Sequence, residues 1–275
     1  MSVGLRALNV VWRGPSFLRE MAHAAEEAGA ESLWVSDHVV LPSAPRPHER
    51  SRTQGAFVDA FASLGFLAAV TDRVRLGVAV VILPLRHPLL VAKAAAGLDA
   101  LSGGRLLLGV GCGWLEPEFR ALGIGYADRG ARTDEYLDAL RAAWSNGTEG
   151  HSGRYAAWQG TAVVAPRPAL GRVPIVVGGE TDAALRRALR QGDGFFPTGP
   201  CRLALSQAAR RHRPGMPVTL PVLPDGADLE GAVRTADRVV LTVRPEAPYA
   251  DFAVRNPGEV APALARVRDT ATEAR

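Results

Sequence analysis

Proton transfer near neutral pH calls for a side chain that changes charge there, and histidine is the one best suited. His38 stands in Ser36-Asp37-His38, directly after the apolar run Leu33-Trp34-Val35. A histidine that closes a strand beside an aspartate reads in two ways: as a proton donor and acceptor, or as a satisfied structural histidine. Asp37 shares the position and is a candidate pocket residue. His87 lies in Pro84-Leu85-Arg86-His87-Pro88 and is a second candidate for the same mouth. The proline after it favours extended backbone, so the alternative reading is that it sets loop geometry. His48, in the proline- and arginine-rich loop Pro45–Arg52, has no assignable role.

Glycines supply the second kind of chemistry. In Gly109-Val-Gly111-Cys-Gly113-Trp114 the alternating glycines admit a flat ligand or another stretch of backbone at close range. The run is not the dinucleotide fingerprint, because Trp114 occupies the place of its third glycine. Gly178-Gly179 precedes a helix starting near Thr181, and the exposed N–H groups of such a start make an anion site. Thr198-Gly199 adds a hydroxyl and another glycine on the next unit, and the pair of loops reads as a phosphate cradle. There is no Gly-Lys-Ser/Thr phosphate loop, no His-Glu-x-x-His zinc helix and no Gly-x-Ser-x-Gly nucleophile elbow. No metal site is expected. Nothing in the sequence activates Cys112 as a nucleophile, and it reads as a small buried thiol.

Elements must hold these residues in place. Strand-like runs fall at Val3–Val10, Glu31–Ser36, Val74–Leu83, Arg105–Val110, Val173–Val177, Gly194–Phe196, Val218–Leu223 and Arg238–Val243. Val78-Ala79-Val80-Val81-Ile82 is apolar at every position, as suits a strand buried on both faces of a parallel sheet. Helical periodicity marks Phe17–Ala28, Phe57–Val70, Pro88–Leu101, Arg132–Trp144, Thr181–Arg190 and Leu203–His212. Ser16 is a candidate N-cap for the first of these, and Gly29 a residue suited to end it. Repeated strand–helix units leave a closed eight-stranded barrel or an open doubly wound sheet, and a length near the roughly 250 residues of a (β/α)-barrel fits the closed form. Ser145–Arg172, which contains Gly147, Gly150, Gly153 and Gly160, reads as an extra hairpin or an excursion outside it. In such a barrel the chemistry sits where strands end. The positions to watch are Val11–Arg13, Asp37-His38, Leu83–His87, Gly111–Trp114, Gly178-Gly179, Pro197–Gly199, Pro224-Asp225 and Arg244.

The 275 residues carry a net charge of +4, and Lys93 is the only lysine among 32 cationic residues. The arginines are scattered, with one cluster at Arg210, Arg211 and Arg213, so no nucleic-acid stripe forms. Coding bias explains the arginines; a small anionic ligand is the alternative. Two cysteines exclude a disulfide framework. The absence of a long apolar run or a signal-peptide pattern leads to the expectation of a cytoplasmic protein that neither enters a membrane nor binds nucleic acid. The expected organisation is a single barrel domain over residues 1–275, acting on a small molecule.

Taken in order, Ser36-Asp37-His38, Thr71-Asp-Arg-Val-Arg-Leu-Gly77, Arg86-His-Pro88, Ala100-Leu-Ser-Gly-Gly-Arg-Leu106, Gly109-Val-Gly-Cys-Gly-Trp114 and Gly178-Gly179 resemble the bacterial luciferase-like monooxygenase superfamily. Within it they look closest to oxidoreductases that use the deazaflavin coenzyme F-420. The resemblance spans roughly residues 3–243 and is loose after about residue 200. It implies a (β/α)8 TIM barrel with a flavin-type ring in its mouth. It also implies a cis peptide between Ala79 and Val80 against that ring, and homodimers are common among such relatives. By the same matching Ala79, Val80, Gly111, Gly113, Gly178, Gly179, Thr198 and Gly199 would hold the cofactor. His38 would face the ring as the catalytic residue, and Trp12, Asp37, His87 and Trp114 would shape the substrate pocket. The implied reaction is hydride transfer between coenzyme F-420 and a small organic substrate, such as reduction of a C=C or C=N bond. An FMN-dependent monooxygenase and a non-catalytic flavin-binding barrel are the alternatives. One departure stands out. Sugar-phosphate dehydrogenases of this kind place an acidic glutamate where this chain has Trp114; Glu116 and Glu118 follow it on what reads as a helix. Substrate identity would be set by Pro42–Gly55 and Leu115–Ala131, which carry no readable pattern.

Overall fold

The computed structural model describes residues 1–10, 13–46, 57–145, 150–159, 164–222, 226–243 and 253–274. Eight parallel strands follow one another round a barrel. They are β1 (Ser2–Arg6), β2 (Ser32–Val35), β3 (Arg75–Val78), β5 (Leu106–Gly111), β8 (Ile175–Gly179), β9 (Gly194–Pro197), β10 (Thr219–Pro221) and β11 (Arg238–Val243). β1 pairs with both β2 and β11. The remaining seam is narrow: Phe195 bridges to Val218, and its N–H donates to Pro217 O at 2.9 Å. Short β4 (Val81–Ile82) continues along β5, and β12 (Ala253–Val254) along β11.

The strands are mostly continuous apolar runs because both faces are covered. Leu5, Leu33, Leu76, Leu108, Val177 and Leu241 are fully or almost fully buried in the main core. A second layer fills the barrel interior with Trp34, Leu107, Val176, Phe196 and Val240. Trp34 meets Phe196 edge-on at 5.3 Å, and its N–H donates to Ser32 Oγ. Gly77 makes room for it, since a Cβ there would lie 2.3 Å from the indole.

The helices α1 (Pro15–Glu27), α2 (Ala60–Val70), α3 (Pro88–Leu101), α4 (Glu116–Ala121) and α5 (Arg129–Trp144) surround the first half. α6 (Asp182–Gln191), α7 (Arg202–His212), α8 (Leu229–Thr235) and α9 (Val260–Glu273) surround the second. The expected N-cap Ser16 is already helical; Gly14 caps instead, with φ 89°, and Pro15 takes the first turn. Gly29 has φ 72°, as a helix-ending glycine should. The run Val74–Leu83 is not one strand. It breaks between β3 and β4 and passes into a 3-10 turn at Leu83–Leu85.

The excursion contains a hairpin, β6 (His151–Ser152) with β7 (Ala157–Trp158). Glu135 of α5 ties it down, accepting from the N–H groups of Arg154, Tyr155 and Ala156. The last barrel strand, expected to have no helix after it, is followed by α9. Val260, Ala263, Leu264 and Val267 of α9 are completely buried. Among the described residues, no helix is long and apolar enough to cross a membrane.

Candidate active site

The site is built at the ends of β2, β3, β5, β8 and β9. Asn9 fixes the first of these. Its amide donates to Ser36 O and Val58 O at 2.8 and 2.6 Å, and its oxygen accepts from Ser36 N at 2.8 Å. One buried amide thereby joins the segment carrying His38 to the segment carrying Phe57. A single asparagine in a strand-like run offered no sequence signal for this role.

Asp37 points inward. Arg86 grips its carboxylate with both guanidinium nitrogens, at 2.6 and 2.8 Å, and Ile82 N–H donates to it at 3.0 Å. Burial pushes the Asp37 carboxyl up from its usual range. Arg86 and the Ile82 N–H oppose that rise, and the nearby Glu118 charge adds to it. Asp37, expected to line the substrate pocket, therefore engages the protein itself. His87 also has a local role: it is exposed, and its Nδ1 accepts from Leu89 N at the N-cap of α3. Trp12, His48, Pro224, Asp225 and Arg244 lie outside the described residues.

His38 turns to the mouth. Its ring meets Phe57 edge-on at 4.9 Å and Trp114 edge-on at 6.2 Å. Its Nδ1 lies 2.9 Å from Glu118 Oε2, and the Glu118 side chain has no solvent exposure. The other Glu118 oxygen accepts from Val39 N and Val40 N at 2.5 and 3.3 Å. The sequence places Glu118 on a helix but does not show its direction; Glu116, two residues earlier, faces solvent and pairs with Arg120. Arg129 secures the loop leading into α4. It donates to Gly113 O and Tyr126 O, lies 3.8 Å over the Tyr126 ring, and Tyr126 in turn donates to Trp114 O.

The glycines have a defined use. A Cβ on Gly109 would lie 1.8 Å from Val78 O. Cβ atoms on Gly111 and Gly178 would lie 2.6 and 2.5 Å from the two methyls of Val80. Three missing side chains on β5 and β8 thus let the end of β3 swell into the barrel. The Ala79–Val80 peptide there is cis, as the resemblance implies. Ala79 and Val80 are partly exposed, an apolar shelf at the mouth. Gly113 has φ 78°, and a Cβ on it would collide with Ile82 and Phe119.

The two late loops meet. Thr198 N donates to Gly179 O at 3.0 Å, and Gly199 has φ 71°. Between them lies Glu180, whose role no motif in the sequence marks. Glu180 Oε1 accepts from the Thr198 hydroxyl at 3.4 Å, and its carboxylate covers Gly199. Thr181 caps α6 through Ala184 N. The shelf and its histidine fit a flat ring. The cradle fits a phosphate through its glycines and helix start, with one carboxylate set against the anion.

The geometry agrees with comparison to known proteins. The model of the luciferase-like monooxygenase family matches residues 5–214, and the chain belongs to that family. An uncharacterised protein of Mycobacterium tuberculosis is 33% identical over 244 residues, covering 83% of this chain and 84% of that one. The F-420-dependent glucose-6-phosphate dehydrogenase of Nakamurella multipartita is 35% identical over 189 residues, 67% of this chain but 52% of that protein. Among solved structures, an F-420-dependent secondary alcohol dehydrogenase shares the fold at 21% identity, with TM-score 0.68 over 99% of this chain and 84% of that one. An FMN-bearing Baeyer–Villiger monooxygenase constituent from Pseudomonas putida also shares it, at 18% identity and TM-score 0.64 over 81% of this chain and 66% of that one. The sequence relatives thus include an F-420-dependent enzyme, and the fold is shared with an FMN-bearing monooxygenase constituent.

Proposed function

We propose that this chain is a coenzyme F-420-dependent oxidoreductase that reduces a C=C or C=N bond of a small organic substrate. The observation that carries the reading is His38, anchored by a buried glutamate and set between two aromatic rings at the mouth of the barrel. The sequence likeness to an F-420-dependent dehydrogenase supports the same cofactor. Bound coenzyme would supply the hydride.

The chain's own residues do the rest. Ala79 and Val80 form the shelf for a ring. Gly178, Gly179, Thr198 and Gly199 hold a phosphate, while Gly111 and Gly113 keep the wall thin. Trp114 and Phe57 exclude water from the histidine, and His38 moves the proton that accompanies the hydride. Trp114 stands where a sugar-phosphate dehydrogenase has its acid, which argues against that substrate class.

The test is reconstitution of the purified chain with coenzyme F-420 and, separately, with FMN, followed by absorbance. Binding of F-420 at tens of micromolar or tighter, with coenzyme oxidation on adding an activated alkene or imine, is the expected result. Absence of F-420 binding in that range overturns it. Tight FMN binding with oxygen uptake would instead assign the chain to the monooxygenase branch.

A further inference from the structure

Glu118 sits outside every motif that placed the other site residues, yet its carboxylate is wholly buried against the segment following β2. One oxygen takes the N–H groups of Val39 and Val40; the other faces His38 Nδ1. A carboxylate oxygen can only accept, so the proton between them belongs to Nδ1. Among the described residues, His38 Nε2 has no hydrogen-bond partner. The remaining charges nearby do not compete. Asp37 is taken by Arg86 and by Ile82 N–H, and Phe57 and Trp114 present uncharged rings.

We infer that Glu118 is a positioning residue that fixes His38 with its proton on Nδ1, so that Nε2 alone exchanges a proton with the substrate. The inference rests on the reading of His38 as the proton-transfer group. In the reductive direction His38 takes a solvent proton on Nε2 and, as the imidazolium, passes it to one end of the double bond, while bound coenzyme would supply the hydride for the other. The ring is left neutral with Nδ1–H still held by Glu118. In the oxidative direction Nε2 takes that proton back.

Glu118→Gln isolates the effect. Glutamine keeps a single acceptor oxygen, and the Val39 and Val40 N–H groups both require it. Its amide N–H would then face Nδ1 and donate, moving the ring proton to Nε2. The same exchange of carboxylate for amide in hydrolase triads, which installs the wrong tautomer, lowers kcat about 10⁴-fold.

The primary measurement uses the chain alone, without coenzyme. Protein labelled with 15N-histidine is recorded at a pH where free imidazole is neutral, and a His38→Asn sample identifies the His38 signals. Wild type is expected to show Nδ1 protonated, and Glu118→Gln to show Nε2 protonated with Nδ1 bare. An Nε2–H tautomer in wild type, or a glutamine variant with the wild-type pattern, overturns the inference. If Glu118→Gln does not fold, the wild-type spectrum still decides. In the reconstituted enzyme the variant is expected to lose kcat about 10³-fold or more, with coenzyme Kd changed less than about threefold. A loss confined to Kd would also overturn it. Failure to bind F-420 alongside an Nδ1–H spectrum would refute the proposed cofactor and leave the positioning role standing.

Discussion

At the scale of single residues, the site is defined as much by missing side chains as by reactive ones. Val80 occupies the space that Gly111 and Gly178 leave. Gly178→Ala would put a Cβ 2.5 Å from a Val80 methyl, and overpacking of that kind costs roughly 1–3 kcal/mol. We expect a lower melting temperature and coenzyme binding weakened about tenfold. Adding Val80→Ala should recover the melting temperature; if it does not, the clash lies elsewhere. Glu180 makes the opposite prediction. Its carboxylate covers Gly199 between the two late loops proposed to hold a phosphate. Glu180→Gln removes a like charge from the neighbourhood of an anion and should tighten a phosphate-bearing coenzyme about five- to tenfold, with little effect on a phosphate-free analogue. Equal effects on both ligands in a fluorescence titration would show that the cradle does not hold the phosphate.

At the scale of elements, two of the resembling motifs work together and far from the mouth. Arg105, just before β5, donates to Ser102 O, Thr71 Oγ1, Val74 O, Ala68 O and Thr71 O. Its planar fork joins the end of α2 to the start of β3, so Thr71–Gly77 and Ala100–Leu106 are structural motifs of the barrel floor. Lysine offers a point charge and cannot reach this set of acceptors. Arg105→Lys should cost roughly 2–3 kcal/mol and lower the melting temperature by about 6 °C, leaving coenzyme affinity unchanged in the folded protein. A matching loss of affinity would mean that the floor and the mouth are coupled. Glu26 performs a parallel task, accepting from the N–H groups of Asp72, Arg73 and Val74.

At the scale of the whole molecule, carboxylates close the structure and set its acid limit. Arg238 at the start of β11 pairs with Glu31, which precedes β2, across the intervening β1. Burial pushes Glu31 up, but the Arg238 hydrogen bonds and charge, with Ser32 and Arg75, push it further down. Glu26 and Glu135 are likewise raised by burial and lowered more by three backbone N–H groups each. A folded-state pKa below the unfolded value stabilises the protein above pH about 4.5 and ceases to do so as pH falls through the folded value. Asp37 has the opposite sign: its raised pKa returns some stability as it protonates. Glu259 is lowered as well by its hydrogen bond with Arg255, so four groups stand against one and denaturation midpoints should fall steadily between pH 5 and pH 3, roughly the span of these titrations. Glu26→Gln should flatten that slope, and an unchanged slope would remove Glu26 from the account. The α9 helix closes the barrel wall from outside. Its Arg268 donates to Ala28 O and Gly29 O at the end of α1. Removing residues 257–275 should therefore expose the buried face of α1 and make the protein aggregate.

Much of this was legible in the linear chain because local rules produced it. Apolar runs without alternation marked the parallel strands, and their number and spacing fitted a barrel, but an open doubly wound sheet has the same local pattern; the Phe195–Val218 bridge closes it. Asp37-His38 and the Gly109–Trp114 run lie at strand ends because their flanking runs end there. Val260, Ala263, Leu264 and Val267 of α9 also follow helical spacing in the chain. The direction of side chains was not legible. Glu116 and Glu118 are two apart on one short helix, about 200° around it; one faces solvent and one is buried on His38. Asp37 and His38 are adjacent, yet one faces Arg86 and the other the mouth. Partners separated by 80 residues, as His38 and Glu118 are, meet only once the barrel closes. The chain by itself determined which residues stand at the rim; tertiary packing decided which of them are buried in pairs and which one is left with a nitrogen to offer, because burial and pairing are properties of neighbours brought from other strands.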